Sequence, residues 1–237
     1  MSDPVSLIMA YYENPTMLQI HYDHIKKLPA SIRGQMYLVI VDDGSPVESV
    51  AKPPSEDLGI CGFQLYRMDQ DIRWNQDACR NIGARHAETE WMILTDMDHV
   101  VPVETWVQLT GRSWCRDVAY TFGRKMMPDM KDYKAHPNSW FMSKRLYDEM
   151  GGYDERFAGI YGTDGDFAER LRKVAPVKGL KVPLICYPRS VVPDASTTTY
   201  LRKQPEDDAG KRRVKEQRAK EKNKKPKRYL FPYHRVV

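Results

Sequence analysis

Met36-Tyr37-Leu38-Val39-Ile40-Val41-Asp42-Asp43-Gly44-Ser45 is the stretch that decides the fold. An unbroken apolar run that stops at two carboxylates and a Gly-Ser pair suits a strand buried on both faces, as in a parallel sheet, followed by a turn. Working outward, Trp91-Met92-Ile93-Leu94-Thr95 ends the same way, in Asp96-Met97-Asp98-His99. Upstream, Val5-Ser6-Leu7-Ile8-Met9 reads as a first strand. Met17, Ile20, His21, His24, Ile25 and Leu28 then recur at helical spacing over Thr16 to Leu28. Asn14 or Thr16 can cap that helix and Pro29 closes it.

The alternation continues. Phe63 to Tyr66 reads as a strand and Asn75 to Ala87 as a helix. Pro102 to Leu109 reads as a helix opening at its proline, and Val118 to Phe122 as a strand. Ser143 to Met150 makes a short helix stopped by Gly151-Gly152, and Asp164 to Val174 a further helix. Strand–helix–strand order of this kind predicts an α/β domain: a mostly parallel central sheet flanked by helices.

A chain of 237 residues, 41% hydrophobic, suffices for one large domain with a real core. No run approaches the roughly 20 apolar residues of a membrane helix. The start of the chain lacks a basic lead and reads as a strand rather than a signal peptide. Cys61, Cys79, Cys115 and Cys186 are widely spaced and form no CxxC pair, which argues against a disulfide framework or a zinc site. A cytoplasmic location is the expectation. Charge is uneven: Leu201 to Val237 carries fourteen Lys and Arg against five Asp and Glu, leaving the rest of the chain net acidic. The organisation read from this is a catalytic domain over 1–200 and a basic C-terminal extension over 201–237.

Carboxylates at strand ends sit where open α/β sheets bind ligands. They approach a phosphate only through a divalent cation, whose charge reverses the local electrostatics. Alone, Asp42-Asp43-Gly44-Ser45 is also an ordinary turn, and Asp96-Met97-Asp98 also a solvated loop. Their order within a longer series is more specific. It runs through Asn75-Gln76-Asp77-Ala78-Cys79-Arg80-Asn81, the DxD strand, Gly151-Gly152-Tyr153-Asp154-Glu155-Arg156-Phe157 and Tyr161-Gly162-Thr163-Asp164-Gly165-Asp166.

That succession, over about residues 5 to 175, resembles the family 2 glycosyltransferases of GT-A fold, a Rossmann-like architecture, and their galactosyltransferase-like relatives. The resemblance implies a metal-dependent, inverting transfer of a sugar from a nucleotide-sugar donor, UDP-sugar first, to an acceptor hydroxyl. Asp43 and Asp42 would bind base and ribose, with Asn75, Arg80 and Asn81 beside the donor. Asp98 would hold Mn²⁺ or Mg²⁺ while Asp96 faces the ribose or donor sugar and stands close to the same metal. Asp164 would be the general base; the plainer reading is that it caps the helix it begins. Asp194 and His234 are candidates for a third metal ligand. Tyr11 or Tyr12 could stack on the base or simply pack. Trp140 could form an acceptor platform, although core packing is its commoner use, with Thr163 and Asp166 as further acceptor contacts. Thr163 departs from the family's usual Glu at that position.

The basic segment from Lys211 to Arg228 could neutralise phosphates of a nucleic acid, an anionic membrane surface or the donor, or remain solvated. Tyr229-Leu230-Phe231-Pro232-Tyr233 is too apolar for a free tail and predicts docking on the catalytic domain. An acceptor in DNA or RNA, such as a hydroxylated base, is a second reading. A non-catalytic nucleic-acid-binding protein is a third, and it leaves the ordered acidic motifs unexplained.

Overall fold

The computed structural model describes residues 3–222 and 225–237. The chain runs β1 (Val5–Tyr11), α1 (Pro15–Lys27), α2 (Ala30–Arg33), β2 (Met36–Asp42), β3 (Gly62–Met68) and α3 (Gln76–His86). It continues with β4 (Trp91–Asp96), β5 (His99–Val100), α4 (Val103–Thr110), β6 (Ala119–Met126), β7 (Lys131–Tyr133), β8 (Trp140–Ser143) and α5 (Lys144–Glu149). The last part holds α6 (Asp164–Val174), β9 (Val177–Cys186), α7 (Thr197–Arg202), α8 (Asp208–Lys220) and β10 (Tyr233–Arg235).

These strands form one sheet in the order β10-β3-β2-β1-β4-β8-β6-β9-β5, with β7 paired to β6. β3, β2, β1 and β4 are mutually parallel, as the unbroken apolar runs require. Alternate residues of each run go to opposite faces. Leu7, Met9, Leu38, Ile40 and Ile93 pack with residues of α1 and α4, while Ile8, Val39, Val41 and Leu94 pack with residues of α3 and α6. The helix α3 lies close on β1 because of Gly83, where a Cβ would sit 2.3 Å from Ile8 Cγ2.

Register brings the acidic ends together. Tyr11 pairs with Asp42 and Ala10 with Asp96, so carboxylates flank the end of β1 on both sides. Beyond β4 the sheet turns antiparallel: Leu94 pairs with Trp140 of β8, which lays residues 136–139 alongside Asp96.

The C-terminal segment is built into this body. The strand β10 pairs antiparallel with β3, and α8 is held by Val214 and by Arg218, both buried. Arg218 donates from Nη1 to Asp154 Oδ2 at 2.9 Å and from Nη2 to Asp166 Oδ1 at 2.5 Å. Glu155 accepts the amides of Tyr229 and Leu230, each at 2.8 Å. The division drawn between residues 200 and 201 falls inside α7, and the basic segment beyond it is a strap laid on the body. Lys224, counted in its charge, lies outside the described residues. All four cysteines are free. Among the described residues no helix is long and apolar enough to cross a membrane.

Candidate active site

A cavity of about 290 Å³ opens at the ends of β1 and β4. Asp96, Asp98 and Asp164 line it together, the first two from the DxD motif and the third from the later Gly-Thr-Asp-Gly-Asp segment. Asp96 ends β4 and Asp98 follows it across a tight turn. Asp164 is the first residue of α6. Thr163 precedes it in the capping position, and no side-chain hydrogen bond caps that helix. Asp164 is half-buried, and its carboxylate makes no hydrogen bond or ion pair among the described residues. The helix-cap reading of Asp164 is therefore corrected: its carboxylate is left to the cavity.

The two carboxylates of the DxD turn are held firmly. Arg80, 1% exposed on α3, donates from Nη2 to Asp96 Oδ1 at 2.5 Å and from Nη1 to Asp77 Oδ1 at 3.3 Å. Burial is the largest influence and raises the Asp96 carboxyl, but Arg80, His136 and His99 together outweigh it and the net shift is downward. Asp98 accepts the Ser196 hydroxyl at 2.6 Å and stands 2.7 Å from His99 Nδ1. Burial works against charge on both partners; their attraction prevails, raising His99 to about 10 and lowering Asp98. His99 faces Cys186 across the β5–β9 pair, and both lie buried behind Asp98. They form the one three-residue group of potential ligands among the described residues, within 4.8 Å of one another. His136 reaches the cavity from the loop before β8, 3.5 Å from Asp96 Oδ2. Burial lowers its pKa and favours the neutral, ligating imidazole.

Several expected contacts lie elsewhere. Asp42 is an organiser of its own loop, accepting the amides of Ser45 and Ala51 at 2.8 Å each. Tyr11 is fully buried and its hydroxyl donates to the Ser49 carbonyl at 2.6 Å; burial raises its pKa. Arg80 sits behind Asp96 rather than facing the cavity. Asn81 is a bracket for the Gly-Gly-Tyr-Asp-Glu segment. Its Oδ1 accepts from Tyr147 and the Tyr153 amide, and its Nδ2 donates to the Tyr153 carbonyl and Glu155. Gly152, at φ +63, is needed there: a Cβ would meet Asn81 Oδ1 at 2.5 Å.

Trp140 is 1% exposed, packed on Phe167 and donating to the Pro137 carbonyl, so it is no acceptor platform. Thr163 donates to Asp77 Oδ2 at 3.3 Å, and Asp166 is bound by Arg218 and Arg170; both are buried tethers rather than acceptor contacts. Burial raises the Asp77 carboxyl to about 7, against the pull of Arg80.

Neither candidate third ligand faces the cavity. Asp194 accepts the amides of Thr16 and Met17 at 2.6 and 3.1 Å, supplying the α1 cap expected from Asn14 or Thr16. His234 pairs with Asp69 at 2.5 Å on the outer edge of the sheet. Asp43 and Asn75 are fully buried beside the site. Asp43 Oδ1 and both amide ends of Asn75 lack partners. Burial raises the Asp43 carboxyl to about 7, against Arg202.

Sequence reasoning missed His136, Trp74, Tyr161 and the segment 196–202. Trp74 and Tyr161 line the cavity edge to face, with ring centroids 4.6 Å apart. Their signal exists only through topology: residues 136–139 acquire meaning once β8 is known to pair with β4.

Residues 6–175 match the model of the family described as Glycosyl transferase family 2. A comparison with curated proteins returned no match. Among solved structures, the mannosyltransferase PcManGT from Pyrobaculum calidifontis, in complex with GDP-Man and Mn²⁺, superposes at TM-score 0.54 with 16% identity. The alignment covers 78% of this chain and 58% of that one. GalNAc-T7 with UDP, GalNAc and Mn²⁺ gives TM-score 0.59 at 14% identity over 79% and 44%. S. aureus TarS gives 0.57 at 13% over 78% and 60%. The chain thus spans about half the length of these structures, and the likeness is one of fold.

Proposed function

Because the chain belongs to glycosyl transferase family 2, we propose that it transfers a sugar from a nucleotide-sugar donor to an acceptor hydroxyl, with divalent metal and with inversion. The observation that carries this is one cavity lined by Asp96, Asp98 and Asp164, the last with its carboxylate unengaged. Two carboxylates and the His136 imidazole suit Mn²⁺ or Mg²⁺ in donor chemistry. Asp98 and Asp96 would hold the ion, with His136 at the side. Such an ion supplies charge that stabilises a departing diphosphate.

The rest is done by the chain's own groups. Arg80 fixes the Asp96 carboxylate, and His99 and Ser196 fix Asp98, so neither must reorganise as charge develops. Asp164 takes the proton from the acceptor oxygen as it attacks the anomeric carbon. A single base and direct displacement give inversion. Asp43 and Asn75, buried with unpartnered polar atoms, are the groups offered to the nucleoside. Resemblance favours a UDP-sugar, and the panel of donors must include GDP-sugars.

The cationic strap gives little support to a nucleic-acid acceptor, since Arg218, Lys211, Lys215 and Arg228 are paired with carboxylates of the body or the strap itself. Donor turnover with Mn²⁺, with and without EDTA, tests the proposal. Release of a nucleoside diphosphate that EDTA and Asp98→Ala both abolish is expected. A metal-independent rate, or none with any donor, would end it.

A further inference from the structure

Arg202, the last residue of α7, turns its side chain inward and is 3% exposed. Its Nη1 donates to Asp43 Oδ2 at 2.6 Å and its Nη2 to the Asp43 carbonyl at 3.1 Å, while Nη2 also pairs with the Asp71 carboxylate. The guanidinium sits over the Tyr12 ring, with Cζ 3.2 Å from the ring centroid. The other oxygen of that carboxylate, Asp43 Oδ1, is buried without a partner, as are both ends of the Asn75 amide where α3 begins.

An aromatic face beside a buried carboxylate suits a planar ring that carries N–H donors on its edge. A guanidinium is such a group: planar, seated over Tyr12, with N–H donors aimed at Asp43. The same segment reaches the other end of the site. Ser196, in the left-handed region at φ +55, donates to Asp98 Oδ2 at 2.6 Å, and Thr197, Thr198 and Thr199 line the cavity. One short stretch thus touches the carboxylate assigned to the metal and the carboxylate assigned to the base. Non-glycine residues at positive φ mark segments whose surroundings hold them in strain, and such positions recur at switches.

We propose that segment 196–202 is an autoinhibitory strap in which Arg202 stands in for the donor's nucleobase, so that nucleotide enters only by expelling it. The inference rests on the reading of Asp43 as the base-binding group. Entry of the base replaces the Arg202 contacts at Asp43 and Tyr12 and satisfies the orphaned Asn75 amide. The displaced arginine then becomes exposed at the rim.

The probes are UDP and GDP with Mn²⁺, followed by calorimetry. Arg202→Ala is expected to bind the preferred nucleotide at least tenfold more tightly than the unmodified chain. A second readout needs no variant: trypsin cleavage after Arg202, slow in the free protein, is expected to accelerate when nucleotide is added. Weaker or unchanged binding by Arg202→Ala, or protection of Arg202 by nucleotide, would overturn the strap and make Arg202 a donor contact or a structural tie. Asp43→Ala, made in the Arg202→Ala background where no arginine is left to release, separates the two levels. If it binds nucleotide as Arg202→Ala alone does, the base-site reading fails and the strap with it. If it loses binding while Arg202→Ala gains none, only the strap fails.

Discussion

The parallel half of the molecule and its C-terminal strap solve the same problem, placing charge at one edge of a sheet, by opposite means. In the parallel half, charge comes at the ends of buried apolar strands. Asp42 and Asp96 stand beside the end of β1 because registers Tyr11↔Asp42 and Ala10↔Asp96 put them there. In the strap, charge comes on polar helices whose anchors are single long side chains, Arg202 and Arg218, reaching buried carboxylates. The first arrangement places groups through the backbone. The second depends on ion pairs, which are specific in geometry yet lose their value when one partner goes.

The sharpest test of the site beside the strand ends is Asp164→Asn, at the first residue of α6. It removes the proposed base but leaves Asp96, Asp98 and the proposed donor pocket untouched. Transfer should fall by roughly 10²–10⁴-fold, the range for loss of a general base, with nucleotide affinity unchanged by calorimetry. Loss of binding in parallel with rate would show that Asp164 supports the donor site rather than the proton transfer.

For the strap, the largest effect should come from Arg218→Ala. Asp154, with no exposed side-chain area, and Asp166, at 5%, would lose a shared partner. Removing one member of a buried pair costs about 3–5 kcal/mol, and the lower end is expected because Arg156 and Arg170 remain. Urea denaturation should show it. A change under about 1 kcal/mol would mean that α8 is held by apolar contact instead.

This contrast also explains what the sequence could and could not disclose. Strands β1, β2 and β4 announce themselves by apolar runs, and the carboxylates at their ends are legible because the chain delivers them in place. Asp96 and Asp98 reach the cavity for that reason, and Asp164 joins them from the first residue of α6. The misplaced assignments share another cause. Trp140, Asn81, Asp166 and Asp194 are of types that ligands attract, but each has a long-range partner inside the fold, and sequence spacing carries no trace of it. Asp194 caps α1 from 177 residues away along the chain. His136 and Arg202 lie in no motif. They reach the site through a strand pairing and a helix end, which only the tertiary structure supplies.

A subtler probe of the strand-end half is pH. His21, 1% exposed on α1, bonds the Met97 carbonyl in the DxD turn at 2.8 Å, and burial lowers its pKa to about 4. Its unfolded value is about 6.5, so between these two the unfolded chain binds the extra proton. Stability should therefore fall as pH drops below about 6.5 and level off below about 4. At pH 5 the loss attributable to His21 is about 2 kcal/mol relative to pH 7. Melting of His21→Gln against the unmodified chain isolates it from His24, His86 and His136, which shift in the same direction. Parallel pH curves for the two proteins would refute the assignment.

The smallest effects should fall on α8 itself, and they separate its two faces. Val214 is 8% exposed, whereas Arg212 and Lys220 are exposed and, among the described residues, pair with no carboxylate. Val214→Ala removes about two buried methyl groups, near 1.5 kcal/mol of transfer free energy, and regains roughly 0.5 kcal/mol of helix propensity. The net expectation is about 1 kcal/mol of destabilisation in urea. The double change Arg212→Glu, Lys220→Glu should stay within about 0.5 kcal/mol, because exposed charges contribute little. If the charge reversal proved the more damaging, the outer face of α8 would be bearing on something in the fold. The strap would then be held by its charge pattern as a whole, and the difference drawn between the two halves would narrow to one of degree.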